Sequence, residues 1–256
     1  MSITAVENEL VSQRVISEEI EKIHADAQAG ETQPKLDFPP YRSATLRHPV
    51  RDLRYTDPEG AELFAPAFGR SDVAAGESDL TTGAAGEPIG ERIAVHGRVL
   101  DGDGRPVRRQ LVEIWQANAA GRYAHQRDQH PAPLDPNFTG TGRCLTDDAG
   151  RYSFTTIKPG PYPWHNHRNA WRPAHIHFSL FGRAFAQRLV TQMYFPGDPL
   201  FFQDPIFNSV PDAARDRMIC RFDLGLTVPE RALGFAWDIV LRGRGATVFE
   251  QPDGHR

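Results

Sequence analysis

The feature that most constrains the fold is a series of short β-prone segments in residues 91–241, each bounded by turn-forming residues. The last segment, FAWDIVLRG, shows the pattern: apolar residues occupy every second position from Phe235 to Leu241, and Asp238 and Arg242 face the other way. Successive side chains of a strand point to opposite faces, so this alternation is typical of a half-buried strand. The predicted strands are ERIAVHGRVLDGDGRPV (which ends in a turn), LVEIWQAN, GRYSFTTI, AHIHFSLFG, LVTQMYF, CRFDLGL and FAWDIVLRG.

Many short strands, Gly/Pro-rich turns and few helices predict a mainly β protein, a β-sandwich of mixed or antiparallel strands with long loops and a few short helices. VPDAARDRMI is the one segment of this region with a helical pattern. No internal repeat is evident.

The chain divides into three parts by sequence character. Residues 1–32 place Ile16, Ile20 and Ile23 at helical spacing, which predicts an amphipathic N-terminal helical extension that docks on a partner chain. Residues 33–90 have no periodic pattern and are rich in Pro and Gly, which indicates an extended arm and loops. Residues 91–256 form the predicted catalytic β-sandwich domain.

Composition excludes several classes of function. The 256 residues carry a net charge of −4, which argues against nucleic-acid binding, and no apolar run is long enough to span a membrane. The first residues lack the features of a secretory signal, so we expect a cytoplasmic protein. The two cysteines, Cys144 and Cys220, match neither a disulfide framework nor a zinc motif.

Residues 161–182 contain two H-x-H triplets. His175 and His177 lie in a predicted strand, so both imidazoles point to one face, which forms half of a metal site. His165 and His167 stand among Pro, Asn and Arg with no strand pattern, which favours a solvated loop. An H-x-H pair alone is a weak signal for a metal.

The remaining ligands decide which metal binds. Zinc would want a third His, a Cys or a carboxylate, and a ferrous oxygenase would want one Asp or Glu; neither companion is obvious nearby. Tyr123 and Tyr162 lie in Gly/Pro-bounded settings, and a phenolate is a hard donor suited to ferric iron. An ordinary packed tyrosine is the commoner alternative.

These segments together resemble one known family, the intradiol ring-cleaving dioxygenases. Within it they are most similar to the β chains of the two-chain enzymes that cleave protocatechuate, over residues from about 34 to the C-terminus. The similar segments are LVEIWQANAAGRYAH, LDPNFTGTGRCLTDDAGRYSFTTIKPGPYPW, NAWRPAHIHFSLFG, LVTQMYFPGDPL and RFDLGL.

The resemblance implies roles for particular residues. Four would bind one non-haem Fe(III) per chain: Tyr123, Tyr162, His175 and His177. Others would act on the substrate: Arg172 and Gln192 together with Tyr162 in catalysis, and Tyr41, Trp164 and Ile206 in substrate binding.

The implied activity is cleavage of protocatechuate (3,4-dihydroxybenzoate) by O2 to 3-carboxy-cis,cis-muconate. The implied partner is the α chain of the same enzyme, in a large αβ hetero-oligomer. Catechol and hydroxyquinol dioxygenases share the iron ligands and are alternatives. GRVLDGDGRPVRRQLVEI also resembles transthyretin-like (prealbumin-like) modules, so a non-catalytic binding module with this core is the alternative of another class.

Overall fold

The computed structural model describes residues 33–35, 37–48, 50–51, 73–166, 169–181, 189–241 and 245–248, and these form two β-sheets packed face to face with short helices at the periphery. The predicted mainly β sandwich is confirmed. In chain order the helices and strands are α1 (Arg42–Arg47), β1 (Arg92–Leu100), β2 (Leu111–Gln116), β3 (Thr141–Leu145), β4 (Arg151–Ile157), β5 (Tyr162–Trp164), β6 (Ala170–Arg172), β7 (His175–Phe181), β8 (Leu189–Tyr194), α2 (Pro205–Ser209), α3 (Asp212–Arg215), β9 (Arg221–Phe222), β10 (Leu233–Ala236) and β11 (Ile239–Val240), with 3₁₀ turns at Phe201–Gln203, Asp216–Met218 and Leu224–Leu226.

The two large sheets differ in strand direction. In the mixed sheet, β1 is central: it pairs antiparallel with β4 and parallel with β10 and β11. The other sheet is antiparallel throughout, in the order β3-β2-β7-β8. A separate two-stranded hairpin joins β5 to β6, immediately before β7.

The core lies between these sheets and is built from alternate residues of their strands. Ile176 and Phe178 on β7 are fully buried, as the alternation predicts. The Phe178 ring lies 5.7 Å from Phe154 of β4 and 4.9 Å from Trp237, between their centroids. Truncation of such a central aromatic residue costs about 3–5 kcal/mol. This packing fixes β7 and therefore the side chains on its other face.

The segment FAWDIVLRG was predicted as one strand, and the structure divides it into β10 and β11. Both keep the same register with β1, so the ladder is interrupted but not shifted. At the interruption Asp238 accepts a hydrogen bond from the backbone N–H of Arg98 at 2.8 Å, in place of a backbone carbonyl. Gly97 allows this close approach, since a Cβ there would lie 1.8 Å from the carbonyl oxygen of Trp237.

Helical segments were under-predicted. VPDAARDRMI does contain α3 and a following 3₁₀ turn, but α1 and α2 had no counterpart in the prediction. In CRFDLGL only Arg221–Phe222 is strand, and Leu224–Leu226 is a 3₁₀ turn in which Asp223 caps the N–H of Gly225. Each of these pieces is too short to show a helical period. The helix α2 and the Leu224–Leu226 turn have side-chain caps, whereas α1 and α3 have none.

The predicted N-terminal helical extension at residues 1–32 lies outside the described residues. Among the helices that the structure does describe, none combines the length and apolar character needed to cross a bilayer.

Candidate metal centre

Strand β7 presents two histidines on the face opposite the core. His175 and His177 are only 2 % and 9 % exposed, and their Nε2 atoms lie 3.2 Å apart. Buried imidazoles whose ring nitrogens point at each other leave a shared position between them that suits a cation or a proton.

The surroundings orient both rings. The Nδ1–H of His175 donates to the carbonyl oxygen of Pro173 at 2.8 Å, which leaves the Nε2 lone pair for a ligand. The indole of Trp115, cross-strand on β2, stacks on the ring of His177 at 4.8 Å and 4°. Burial, and secondarily the positive charge of Arg172, lowers the pKa of His175 well below its usual value, so this imidazole is neutral.

Two tyrosine hydroxyls complete the cluster. The hydroxyl of Tyr123 lies 3.1 Å from the Nε2 of His177 and 3.4 Å from that of His175. The hydroxyl of Tyr162 lies 3.4 Å from the same nitrogen of His175. The structure therefore brings together all four side chains that the resemblance implied as ligands, although Tyr123 comes from a loop far from β7 in sequence.

The segments that carry the two tyrosines, a loop at Tyr123 and the start of β5 at Tyr162, are joined by close contacts. The buried side chain of Asn118 accepts from the N–H groups of Ala120 and Arg122 at 3.0 Å, and the backbone carbonyl of Asn118 accepts from the N–H of Gly160 at 2.9 Å. Gly121 has a φ of +79° and touches Pro161: a Cβ at Gly121 would lie 2.1 Å from that carbonyl oxygen. These contacts set the spacing of the tyrosines.

The donor set fits a ferric ion better than zinc. Nitrogen and oxygen donors bound at about 2.0–2.2 Å to one ion are themselves about 3 Å apart, which is the spacing seen here. Within the described part of the chain, no group of three or more His, Cys, Asp or Glu side chains is arranged to hold a metal. A metal at this position would thus need the phenolate oxygens, and hard anionic oxygens favour a trivalent ion.

Arg172 lies beside the cluster, opposite Tyr162 in the β5–β6 hairpin. It is 3 % exposed and is therefore a buried arginine, not a surface one. Its Nε donates to Asp204 at 3.0 Å, and its Nη2 donates to Gln192 and, at 2.9 Å, to Tyr194. A buried guanidinium held in this way keeps its charge in one orientation.

Gln192 shows an unmet hydrogen-bonding capacity. Its Oε1 accepts from Arg172 and lies 2.9 Å from the Tyr194 hydroxyl, whereas its buried Nε2 has no hydrogen-bond partner among the described residues. Gln192, Tyr41 and Ile206 line one small cavity of about 30 Å³, which is room for about one water molecule. A larger, open groove of about 390 Å³ beside α2 is lined by none of the predicted site residues.

Tyr41 and Trp164 meet next to Arg172. Their ring centroids are 5.4 Å apart, and the guanidinium carbon of Arg172 lies 5.6 Å from the Trp164 ring. Buried Asn166 ties the arm to this hairpin: it accepts from the N–H of Arg42 at 2.9 Å and donates to the carbonyl of Pro40 at 2.8 Å. All the predicted substrate residues therefore lie around the arginine network.

The first H-x-H triplet has a different environment. His165 is exposed in a turn after β5, in agreement with the predicted loop, and His167 lies outside the described residues. Asn166, between the two, is the residue with a structural function, and no sequence pattern indicates it.

Other residues that shape the site were also missed. They are Trp115, Asn118, Asn166, Tyr194 and Asp204. Asp204 had a local signal, because Asp followed by Pro is typical of a helix N-cap and first turn. The others depend on contacts between segments that are distant in sequence.

Comparison with known proteins places the chain among its relatives. A family model described as "Dioxygenase" matches residues 63–243, and one described as "Protocatechuate 3,4-dioxygenase beta subunit N terminal" matches residues 27–59. The chain is 59% identical over 222 residues to the protocatechuate 3,4-dioxygenase beta chain of Burkholderia cepacia, covering 86% of this chain and 94% of that one.

More distant relatives agree with this placement. The protocatechuate 3,4-dioxygenase alpha chain of Pseudomonas putida is 33% identical over 166 residues, covering 62% of this chain and 76% of the relative. The solved structure of hydroxyquinol 1,2-dioxygenase from Pseudomonas putida DLL-E4 matches with a TM-score of 0.50 and 26% identity, over 67% of this chain and 59% of that one. The fold, the motifs and these similarities together show that the chain belongs to the intradiol ring-cleaving dioxygenases.

Proposed function

We propose that this chain is the iron-binding β chain of an αβ enzyme that cleaves protocatechuate with O2 between its hydroxyl-bearing carbons to give 3-carboxy-cis,cis-muconate. The observation that supports this most is the convergence of two phenol and two imidazole donors, in which each donor lies 3.1–3.4 Å from at least one other. A transthyretin-like binding module would have no need of such a cluster.

Tyr123, Tyr162, His175 and His177 are the residues that would hold Fe(III). When bound, the ion would supply Lewis acidity, which lowers the pKa of the catechol hydroxyls and polarises the ring. The carbonyl of Pro173 and the indole of Trp115 keep the two imidazoles oriented for that purpose. With the ion bound, the oxygen of Tyr162 would be a phenolate, a base within the site that could accept a proton from a substrate hydroxyl.

Arg172 contributes electrostatic stabilisation. Its guanidinium stays charged at any working pH and is held between Asp204, Gln192 and the Trp164 ring. Negative charge that develops on the catechol ring and its oxygens is stabilised by this fixed cation at little reorganisation cost. The free Nε2–H of Gln192 is available as an additional donor to substrate.

Tyr41, Trp164 and Ile206 would form the substrate-binding wall. The cavity of about 30 Å³ at Gln192 is much too small for a catechol, so the remaining space must come from an opening of the arm or from the surface of a partner. A related α chain, as in the two-chain relatives, is the partner that we propose to complete the carboxylate-binding part of the pocket.

The test is to co-express this chain with its α chain in iron-replete cells and purify the complex. We expect stoichiometric iron, a red-brown colour from tyrosinate-to-Fe(III) charge transfer, and ring cleavage of protocatechuate with the stated product. Parallel assays with catechol and hydroxyquinol separate the substrate alternatives. A colourless, iron-free and inactive complex would refute the proposal.

A further inference from the structure

We propose that Asp204 is a positioning residue for the reaction: it holds the guanidinium of Arg172 against the catalytic site and ties that guanidinium to helix α2, which carries Ile206 of the substrate wall. This inference rests on the proposed function. It assigns to Asp204 an effect exerted through Arg172 and no contact with substrate.

The geometry of Asp204 uses each carboxylate oxygen for a different purpose. Its Oδ2 accepts from the Nε of Arg172 and from the hydroxyl of Tyr194, both at 3.0 Å. Its Oδ1 accepts from the backbone N–H of Ile206 at 2.9 Å and caps α2. One fully buried side chain thus connects the arginine to the backbone of the substrate wall.

Burial makes this connection specific. The side chains of Arg172 and Asp204 are 4 % and 0 % exposed, so neither charge is screened by water. In eight other ion pairs among the described residues, at least one of the two side chains is 27 % exposed or more. A fully buried pair restricts both partners, because separation leaves a charge without solvent or partner.

The network also reaches the candidate ligands. The Tyr194 ring packs against the His175 ring with centroids 5.7 Å apart, and its hydroxyl lies within hydrogen-bonding distance of Arg172, Gln192 and Asp204. The Nε of Arg172 donates to Asp204, whereas Gln192 and Tyr194 both lie against its Nη2, so Asp204 holds a part of the guanidinium that these two residues do not. Misplacement of a catalytic group by about 1 Å can lower the rate about 100-fold.

The main variant is Asp204→Asn in the αβ holoenzyme. Asn retains an oxygen that caps α2, since Asn is as good an N-cap as Asp. Its amide NH2 then faces the Nε–H of Arg172, so donor meets donor and the arginine is no longer held. We expect iron content and the visible absorption to stay unchanged while kcat falls about 10- to 100-fold, with a smaller change in KM.

A double-variant comparison shows whether Asp204 acts through Arg172. If it does, Asp204→Asn should reduce kcat in the wild-type background and have almost no further effect in an Arg172→Ala background. If the losses of kcat in the two single variants multiply in the double variant, Asp204 acts independently of Arg172 and the inference is overturned.

A measurement without activity uses the iron-free protein. Each single variant leaves one buried charge uncompensated and should lower the Tm, whereas the double variant removes both charges and should be no less stable than the Arg172→Ala single variant. Tyr194→Phe is a second probe: it removes one hydrogen bond to Arg172 and one to Asp204 without changing charge, so a smaller loss of kcat is expected.

The matched control is Asp223→Asn. Like Asp204, Asp223 caps the start of a helical segment: it accepts from the N–H of Gly225 in a 3₁₀ turn. It also pairs with an arginine, Arg221, but this pair is exposed at β9, the edge strand of the mixed sheet. We expect wild-type kcat. If Asp204→Asn lowers the Tm with wild-type kcat, its role is purely structural and the inference fails. If the wild-type complex itself has no iron and no turnover, the proposed function fails instead, and the two results are distinct.

Discussion

The four candidate ligands come from two structural settings that place side chains in different ways: one long strand, β7, and two separate segments. His175 and His177 share a face of β7 because residues two positions apart always do in a strand. Tyr123 lies in a loop and Tyr162 is the first residue of the short strand β5, and their segments meet through Asn118, Gly121 and Gly160 and through the packing of the two tyrosine rings. The histidines, the strand half of the site, therefore depend on local periodicity, and the tyrosines depend on close contacts between distant segments.

The largest effect should come from the strand half. His175→Ala or His177→Ala removes a donor that has no substitute, so we expect complete loss of bound iron and of colour, measured by metal analysis and visible absorption. His165→Ala is the control, because His165 has the same H-x-H spacing but is exposed in a turn. Iron loss in the control with retention in the strand variants would reverse our choice of pair.

The next largest effect is expected at the contact between the segments that carry Tyr123 and Tyr162. Gly121→Ala forces an alanine to a φ of +79° and drives its Cβ against the carbonyl of Pro161. The backbone conformation costs about 1–3 kcal/mol and the overlap about the same again. Denaturant unfolding should show a free energy of unfolding lowered by the sum of these two costs. Iron retention should weaken, because Tyr123 and Tyr162 move apart.

The control for this change is Gly104→Ala. Gly104 has the same φ of +79°, but a Cβ there would meet nothing within 4 Å. The Gly104→Ala variant should lose only the free energy that the unfavourable backbone conformation costs, and its iron content should be normal. Equal effects at the two glycines would mean that the loop contact is unimportant for the site.

A smaller effect is expected for Asn118→Ala. The change leaves the N–H groups of Ala120 and Arg122 without their side-chain acceptor and the carbonyl of Pro133 without its donor. We expect a loss of about 1–3 kcal/mol in the free energy of unfolding and faster removal of iron by a chelator. Unchanged chelation kinetics would show that Tyr123 is positioned by other contacts.

The smallest effect is predicted for Ser179→Ala. Ser179 follows His177 on the same face of β7, and its hydroxyl donates to Glu113 at 3.2 Å. The loss should be about 1 kcal/mol of stability with full iron content. Iron loss in this variant would mean that the metal centre extends further along the strand than the four donors.

The strands with regular alternation and their inward faces could be predicted because alternation is a local property, whereas β3, β5 and β6 were not predicted. The break between β10 and β11 could not be predicted, since it depends on the fit of Asp238 against the backbone of Arg98, and the helices α1 and α2 are too short to show a period. The candidate ligands were named from motif resemblance, and no pattern in the residues alone relates Tyr123 to β7. Asp204 was missed because its partner Arg172 is distant in sequence, even though Asp-Pro is a local cap signal. Asn118 was missed because its contacts with Pro133 and Gly160 join it to distant segments.

By itself, the sequence determined the β-sandwich, the shared face of His175 and His177, and the contrast with the exposed turn at His165. Alternation and turn chemistry act over a few residues, so a short window is enough to read them. Only the tertiary structure decided that a loop and the start of β5 bring their phenols to β7 and that Arg172 is buried against Asp204. Those arrangements are set by packing between distant segments, and local sequence does not encode such distances.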